Sequence, residues 1–490
     1  MQKYILEIVV FICGASVMVL ELIGSRVLAP YLGTSIFVWT SLIGIILGSL
    51  SLGYYGGGKI SDKYPNYKIF SGIIFLAAFY IGVIALMKFS FLVFLMDKIN
   101  DIRTGSVIAS IILFAPPSVL LGMISPYAVK LKITDIERSG STVGNLYAIS
   151  TVGSIVGTFL AGFWLIPKFG TTTIIYGIAV VLILTSILAY AKNFALKRII
   201  TLVIILIILL SHTKYKNALA ENGFLDIDTK YSRVLIYEQE IDGKPAKFMR
   251  CDTNSNSAMF LDDDELVFEY TKYYDLASHF NPDFKKSLMI GGAAFSYPKY
   301  CLKKYPNAKI DVVEIDPKLT ELARKYFRLE DNERLNIFHE DGRIFLNKTE
   351  NKYDVIFGDA YRSHHSIPYQ LTTVETVQRM YDILNNNGVA LVNIISAVEG
   401  GKGKFLRAEY KTFKAVFPQV YIFYVSTPNA QQSQNLMLIA LKSEDEPKFT
   451  NNDKQLNIFL QNLWTKDIQN DVPILTDNYA PVDNYIMESL

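Results

Sequence analysis

Residues 288–300 read LMIGGAAFSYPKY, and the fold of the C-terminal half turns on this stretch. The apolar run Leu288, Met289, Ile290 passes straight into Gly291, Gly292, Ala293 and Ala294. That is the pattern of a buried strand leaving through a tight turn, where missing side chains let backbone approach a ligand. Downstream the alternation repeats as "KIDVVEID", "PKLTELARKYF", "LNIFHED", "YDVIFGDA", a helix near 373–385 and "GVALVNI". Strands alternating with helices predict an open, doubly wound parallel sheet covered on both faces.

In such sheets ligands bind beyond the carboxyl ends of the strands, so the residue ending each strand carries the information. The first end gives Gly291 and Gly292. The second gives Glu314, 22 residues after Gly292, placed to accept both hydroxyl hydrogens of a ribose. The third gives Asp341 and Gly342, and the fourth gives Asp359. Together they outline a nucleoside pocket. Each acid also has a plainer reading: Glu314 as a capping or solvent carboxylate, Asp341 as an N-cap before "GRIFL", Asp359 as a turn residue. Asp316, preceding Pro317, reads as an N-cap. A GxGxxG fingerprint is absent, which disfavours NAD; the Gly-Gly turn with an acidic second strand end suits S-adenosylmethionine or a relative.

The rest of the chain is of another kind. Of 490 residues 51% are hydrophobic and 19% charged, too apolar for a soluble protein of this length, so part of the chain belongs in a lipid bilayer. A net charge of +2 without a long basic run excludes a nucleic-acid surface. Cys13, Cys251 and Cys301 have no metal-ligand or paired spacing, and no metal is expected. The first apolar stretch runs past Glu21 without a cleavage site, so it is expected to remain in the protein. Apolar stretches at 5–24, 36–56, 69–87, 105–126, 143–166 and 171–191 each approach the length that spans a bilayer; a further one, 199–211, is short for a crossing. Lys and Arg in the loops after spans two, four and six outnumber those in the other loops nine to five, which puts the N-terminus in the cytoplasm. Six crossings then leave the remainder cytoplasmic and seven leave it outside; the need for an intracellular donor favours six.

The expected organisation is a transmembrane helical domain at 1–212, a small antiparallel β-sheet domain at 213–280 and a Rossmann-like catalytic domain, of the S-adenosylmethionine-methyltransferase type, at 281–490. The sheet is read from "SRVLIYEQE", "AKFMRCD" and "SAMFLD", alternating at period two around Asp242-Gly243.

Residues 281–396 resemble the polyamine aminopropyltransferases, the spermidine synthases, through "LMIGGAAFSYPKYCLKKYPNAKIDVVEIDP", "HEDGRIFL" and "YDVIFGDAY...IPYQLTTVET". The N-terminal half, with "GASVMVLELIGSRVLAPYLGTSIFVWTSLIGIILGSLSLGYYGGGKISDK" and "GNLYAISTVGSIVGTFLAGFWLIPKFG", is similar to that family's membrane-fused branch, as is "ILTDNYAPVDNYI". The resemblance implies transfer of an aminopropyl group from decarboxylated S-adenosylmethionine to an amine. Asp359 would be the general base, Glu314 would hold the ribose, Asp341 would contact the adenine amino group, and Gly291, Gly292 and Gly342 would border the donor. Two departures bear on substrates. Ala294 stands near the position of the donor-recognising acid, and "FEYTKYYD" and "DAYRSHHSIPYQ" replace acceptor-side acids, leaving Tyr270, Lys272 and Tyr361 as acceptor-side candidates. A cation at Lys272 would repel a diamine.

In the first span Glu21 and Arg26 are five apart, so each is expected to meet other partners; they either pair and snorkel or line a groove for a membrane-associated substrate. The reading is a multi-pass cell-membrane transferase acting on a small amine or a membrane-associated acceptor, with a homodimer open. A methyltransferase using S-adenosylmethionine itself, and a non-catalytic transporter or scaffold that senses a nucleoside, are the alternatives.

Overall fold

A computed structural model describes residues 4–99, 101–133, 139–190, 195–252, 254–360 and 367–489. The chain divides into two compact units, Met1–Arg233 and Val234–Leu490.

The first unit is helical, the form in which a backbone satisfies its own polar groups in hydrocarbon. Among the described residues seven helices are long and apolar enough to cross a membrane: Ile5–Leu32, Ile36–Lys63, Tyr67–Lys98, Ile102–Lys132, Ser139–Lys168, Thr171–Ala189 and Leu196–Glu221. Small residues let them approach closely. A side chain on Gly153 or Gly157 would collide with the carbonyl oxygens of Phe11 and Ala15 in the first helix, the small-xxx-small contact of membrane helices. The seventh helix is 26 residues long, well beyond the apolar core at 199–211, because the polar residues 212–221 continue it.

Glu21 is half-buried in the first helix. Arg26 points elsewhere, donating to the carbonyl oxygens of Lys230 and Thr229, each at 2.7 Å. Around that segment Lys216 donates to the carbonyl of Asp226 at 3.1 Å, and Arg233 grips the Asp226 carboxylate at 2.8 and 2.9 Å. Asp228 accepts from the Thr171 N–H at 3.2 Å. The stretch 226–233, with its strand β1 (Leu225–Asp228), is thus tied to the end of the first helix, the start of the sixth and the end of the seventh.

The second unit begins with an antiparallel meander, β2 (Arg233–Ile241), β3 (Lys244–Cys251) and β4 (Asn254–Phe260). Asp242 and Gly243, at φ 50° and 77°, make the two-residue hairpin turn between β2 and β3, the geometry an Asp-Gly pair favours. Next comes a seven-stranded sheet built from β5 (Lys286–Ile290), β6 (Lys309–Val313), β7 (Leu335–Phe338), β8 (Tyr353–Gly358), β9 (Leu384–Ser396), β10 (Gln419–Tyr424) and β11 (Gln434–Leu441). Its order is β10-β11-β9-β8-β5-β6-β7. Strands β7, β6, β5, β8 and β9 run parallel, and β11 is antiparallel to β9 and β10. The chain winds outward from β5 through β6 to β7, then returns to place β8 on the other side of β5. In doubly wound sheets such a reversal of strand order is where ligands bind, beyond the carboxyl ends of the strands.

Both faces of the sheet are covered, which explains the unbroken apolar strands. Leu288, Ile290, Ile356 and Ala390 face one core; Met289, Val312, Phe357 and Leu391 face the other. In the second core Asp275, 3% exposed, accepts the Tyr300 and Tyr305 hydroxyls at 2.7 and 2.9 Å and the Lys304 ammonium at 2.7 Å. Asp275→Ala strands those donors and is expected to cost about 2–4 kcal/mol. Thermal unfolding of the full chain in detergent, with Asp275→Asn losing less than Asp275→Ala, checks it.

Candidate functional site

The parallel register extends one residue past the strands and sets the site. Met289 lies opposite both Val312 and Phe357, and Phe357 opposite Leu391. Side chains in strands alternate faces with period two, so two residues further on the same face come Glu314, Gly291, Asp359 and Asn393. They form a row across four strand ends. Ladder bonds continue into it: the Gly291 N–H donates to Val313 O and the Asp359 N–H to Ile290 O, both at 2.9 Å.

Gly291, at φ 97°, occupies a conformation that favours glycine. A β-carbon there would strike the carbonyl oxygen of Asp359. The absent side chain is therefore the condition for β5 and β8 to end against each other. Ala293 and Phe295 also have positive φ, at 44° and 58°, as the loop curls into the helix Ser296–Lys304, and Gly292 sits beneath the Phe295 ring.

Glu314 braces that loop. Its Oε2 accepts the N–H groups of Gly292 at 3.0 Å and Ala293 at 2.9 Å, and its Oε1 accepts the Asp316 N–H at 2.9 Å. Burial pushes its carboxyl up, against the opposing pull of those three donors. A carboxylate has about four lone-pair sites, so roughly one remains, on Oε1, for a further donor. Asp341 is the N-cap of the helix Gly342–Lys348: Oδ1 accepts from Arg343 and Ile344 N–H at 2.9 and 3.2 Å. Gly342 packs against Ile290. Asp316 caps the helix Pro317–Tyr326 through Lys318 N–H at 3.0 Å.

Asp359 is half-buried. Tyr270 donates its hydroxyl to Oδ2 at 3.1 Å, and Asn393 donates its amide to Oδ1 at 3.2 Å. Burial pushes the Asp359 carboxyl up to about 6, and Asn393, Tyr270 and the Tyr274 hydroxyl pull in the opposite direction without cancelling it. Tyr270 packs edge-on to Tyr274, and Tyr274 to Tyr297 and Phe357, so an aromatic wall backs the acid.

Lys272 does not stand alone: it pairs with Glu269 at 2.7 Å on the surface. Tyr361 lies outside the described residues. The chain that follows it is clamped from the C-terminus: Arg343 donates to the Gln370 carbonyl at 3.0 Å and to Asp477 at 2.7 Å, and Thr373 donates to Asp477 at 2.7 Å. Asp477 belongs to "ILTDNYAPVDNYI". Sequence reasoning had missed Asn393. Its signal was present, as a lone amide in the apolar run "GVALVNI".

Residues 269–453 match the family model described as Spermine/spermidine synthase domain. Two similar curated relatives are polyamine aminopropyltransferases. That of Vibrio vulnificus is 28% identical over 36% of this chain and 58% of its own length. That of Streptococcus uberis is 30% identical over 35% of this chain and 60% of its own. The chain thus spans under two thirds of either relative. Among solved structures, spermidine synthase from Thermotoga maritima aligns at 22% identity over 49% of this chain and 84% of its own, with a TM-score of 0.38. The C-terminal part of this chain carries a spermine/spermidine synthase domain.

Proposed function

We propose that this protein is a membrane-anchored aminopropyltransferase whose general base is Asp359. The observation that carries the reading is the row at the strand ends, with a loop-bracing Glu314 on one side of Gly291 and an acid held by neutral donors on the other. In the reaction, the amine nitrogen forms a C–N bond to the propyl carbon while the C–S bond breaks. The electron pair leaves on sulfur as methylthioadenosine, and the ammonium proton passes to Asp359. An alkyl amine has a pKa near that of lysine, so a carboxylate must hold it and take its proton. The last open site on Glu314 Oε1 would take a ribose hydroxyl, the free oxygen of Asp341 the adenine amino group, and Gly291, Gly292 and Gly342 would border the donor. With Lys272 neutralised by Glu269, repulsion of a diamine weakens as an objection, and Tyr270 would meet the acceptor beside Asp359.

The base must be ionised, so kcat/KM is expected to rise with pH through about 6 and level off above it. Asp359→Asn should lower kcat by about 10²–10⁴-fold and abolish that limb. Methylthioadenosine release from decarboxylated S-adenosylmethionine, with putrescine as probe acceptor, reads both; an Asp359→Asn variant at wild-type rate would exclude this base.

The same acid sets a stability trade. Its folded-state value is raised above the ordinary 3.8, so its contribution is complete below that value and is lost as pH rises through about 6. At pH 7 the ionised group costs about 1–3 kcal/mol. Asp359→Asn is therefore expected to unfold at a higher temperature at pH 7, with the gain disappearing below about pH 4, as differential scanning of both proteins would record.

The donor is made inside cells, so the reading needs the second unit in the cytoplasm. If all seven helices cross, the N-terminus then lies outside. The charge balance is then near even, because Lys214, Lys216, Lys230 and Arg233 follow the seventh apolar stretch and bring that face to nine, against ten on the other with Lys3. Reporter fusions at the two ends should show opposite sides, with the C-terminal fusion cytoplasmic. Both ends inside would mean six crossings, and an external C-terminus would defeat the donor assignment.

A further inference from the structure

We propose that Asn393 is the positioning residue for the base, holding the Asp359 carboxylate by Oδ1 so that its outer lone pairs face the incoming amine. The inference rests on the transfer reading above. Three observations carry it. Asn393 is 2% exposed in the middle of a seven-stranded sheet, flanked by Leu391, Val392, Ile394 and Ile395. An amide there is a poor strand former and is costly to bury unless it is hydrogen-bonded to something that matters. It also falls where the β8-β9 register brings it directly opposite Asp359, one step beyond the pairs Val355↔Val389 and Phe357↔Leu391. Finally, the amide Nδ2–H donates to Oδ1 at 3.2 Å while Tyr270 takes Oδ2 at 3.1 Å, so each carboxylate oxygen has its own fixed donor.

The two donors differ in kind. Tyr270 is half-buried, on the short helix Glu269–Lys272. Asn393 is embedded in the sheet, with Met437 of β11 opposite on its far side. The donor embedded in the sheet fixes the plane of the carboxylate. Among the described residues, the groups facing Asp359 from the packed elements are Tyr270 and Tyr274 from the segment before β5, Asn393 from β9 and the backbone of Gly291 from the loop after β5.

The test uses the full chain in detergent. The pH-dependent difference in unfolding temperature between wild type and Asp359→Asn reports the titration of Asp359 without any acceptor. Asn393→Leu, similar in volume but without a donor, should move that midpoint up by about one pH unit, since a donor to the anion is lost. With decarboxylated S-adenosylmethionine and putrescine as probes, kcat should fall by about 10–100-fold while KM for the donor stays within about twofold. Asn393→Gln, which keeps an amide donor, should recover part of both. An unmoved midpoint with unchanged kcat in Asn393→Leu overturns the proposal. If that variant fails to fold, Asn393→Ser is read the same way. Should wild type release no methylthioadenosine, the transfer reading fails, and the midpoint alone still decides whether Asn393 holds Asp359.

Discussion

The carbonyl oxygen of Asp359 occupies the place where a side chain on residue 291 would stand. From that contact the rest of the site follows. Only glycine at φ 97° lets β5 and β8 end side by side, and only that closeness aligns Glu314, Asp359 and Asn393 as one row on one face. The remaining acids do structural work. Glu314 spends three of its acceptor sites on the loop, and Asp341 caps a helix. The loop is thereby held by the chain's own groups.

Asp359 stands apart because, among the described residues, the groups that bond it are neutral. A hydroxyl and an amide orient it without cancelling the cost of burial, so it keeps a proton affinity in the useful range. A salt-bridged carboxylate would be a better structural element and a poorer base. Asp275, by contrast, gathers two tyrosines and a lysine in the core.

Much of this was legible in the chain because strand ends are punctuated. Apolar runs end at Gly291, Glu314 and Asp359, and Asp341 follows the end of β7 by three residues as the cap of the next helix. What escaped lay where the signal is relational. Asn393 is marked in its own strand as a lone amide, but its contact with Asp359 comes from the register of β9 with β8. Lys272 looks like a free cation until Glu269, three residues earlier on the same helical turn, is seen to hold it. The seventh helix looked too short because only its apolar core was counted, whereas polar residues carry the helix on to Glu221. Arg343 and Asp477 are 134 residues apart, and their pairing follows from topology alone.

The central claim is that the row at the strand ends holds an adenosyl sulfonium compound. Titration calorimetry of the full chain with decarboxylated S-adenosylmethionine, S-adenosylmethionine and methylthioadenosine addresses it directly. The account predicts saturable binding of methylthioadenosine and of the decarboxylated donor, weakened by at least about tenfold in Glu314→Gln, where a charged acceptor is lost. No detectable heat with any of the three compounds, or equal affinity in Glu314→Gln, would contradict it.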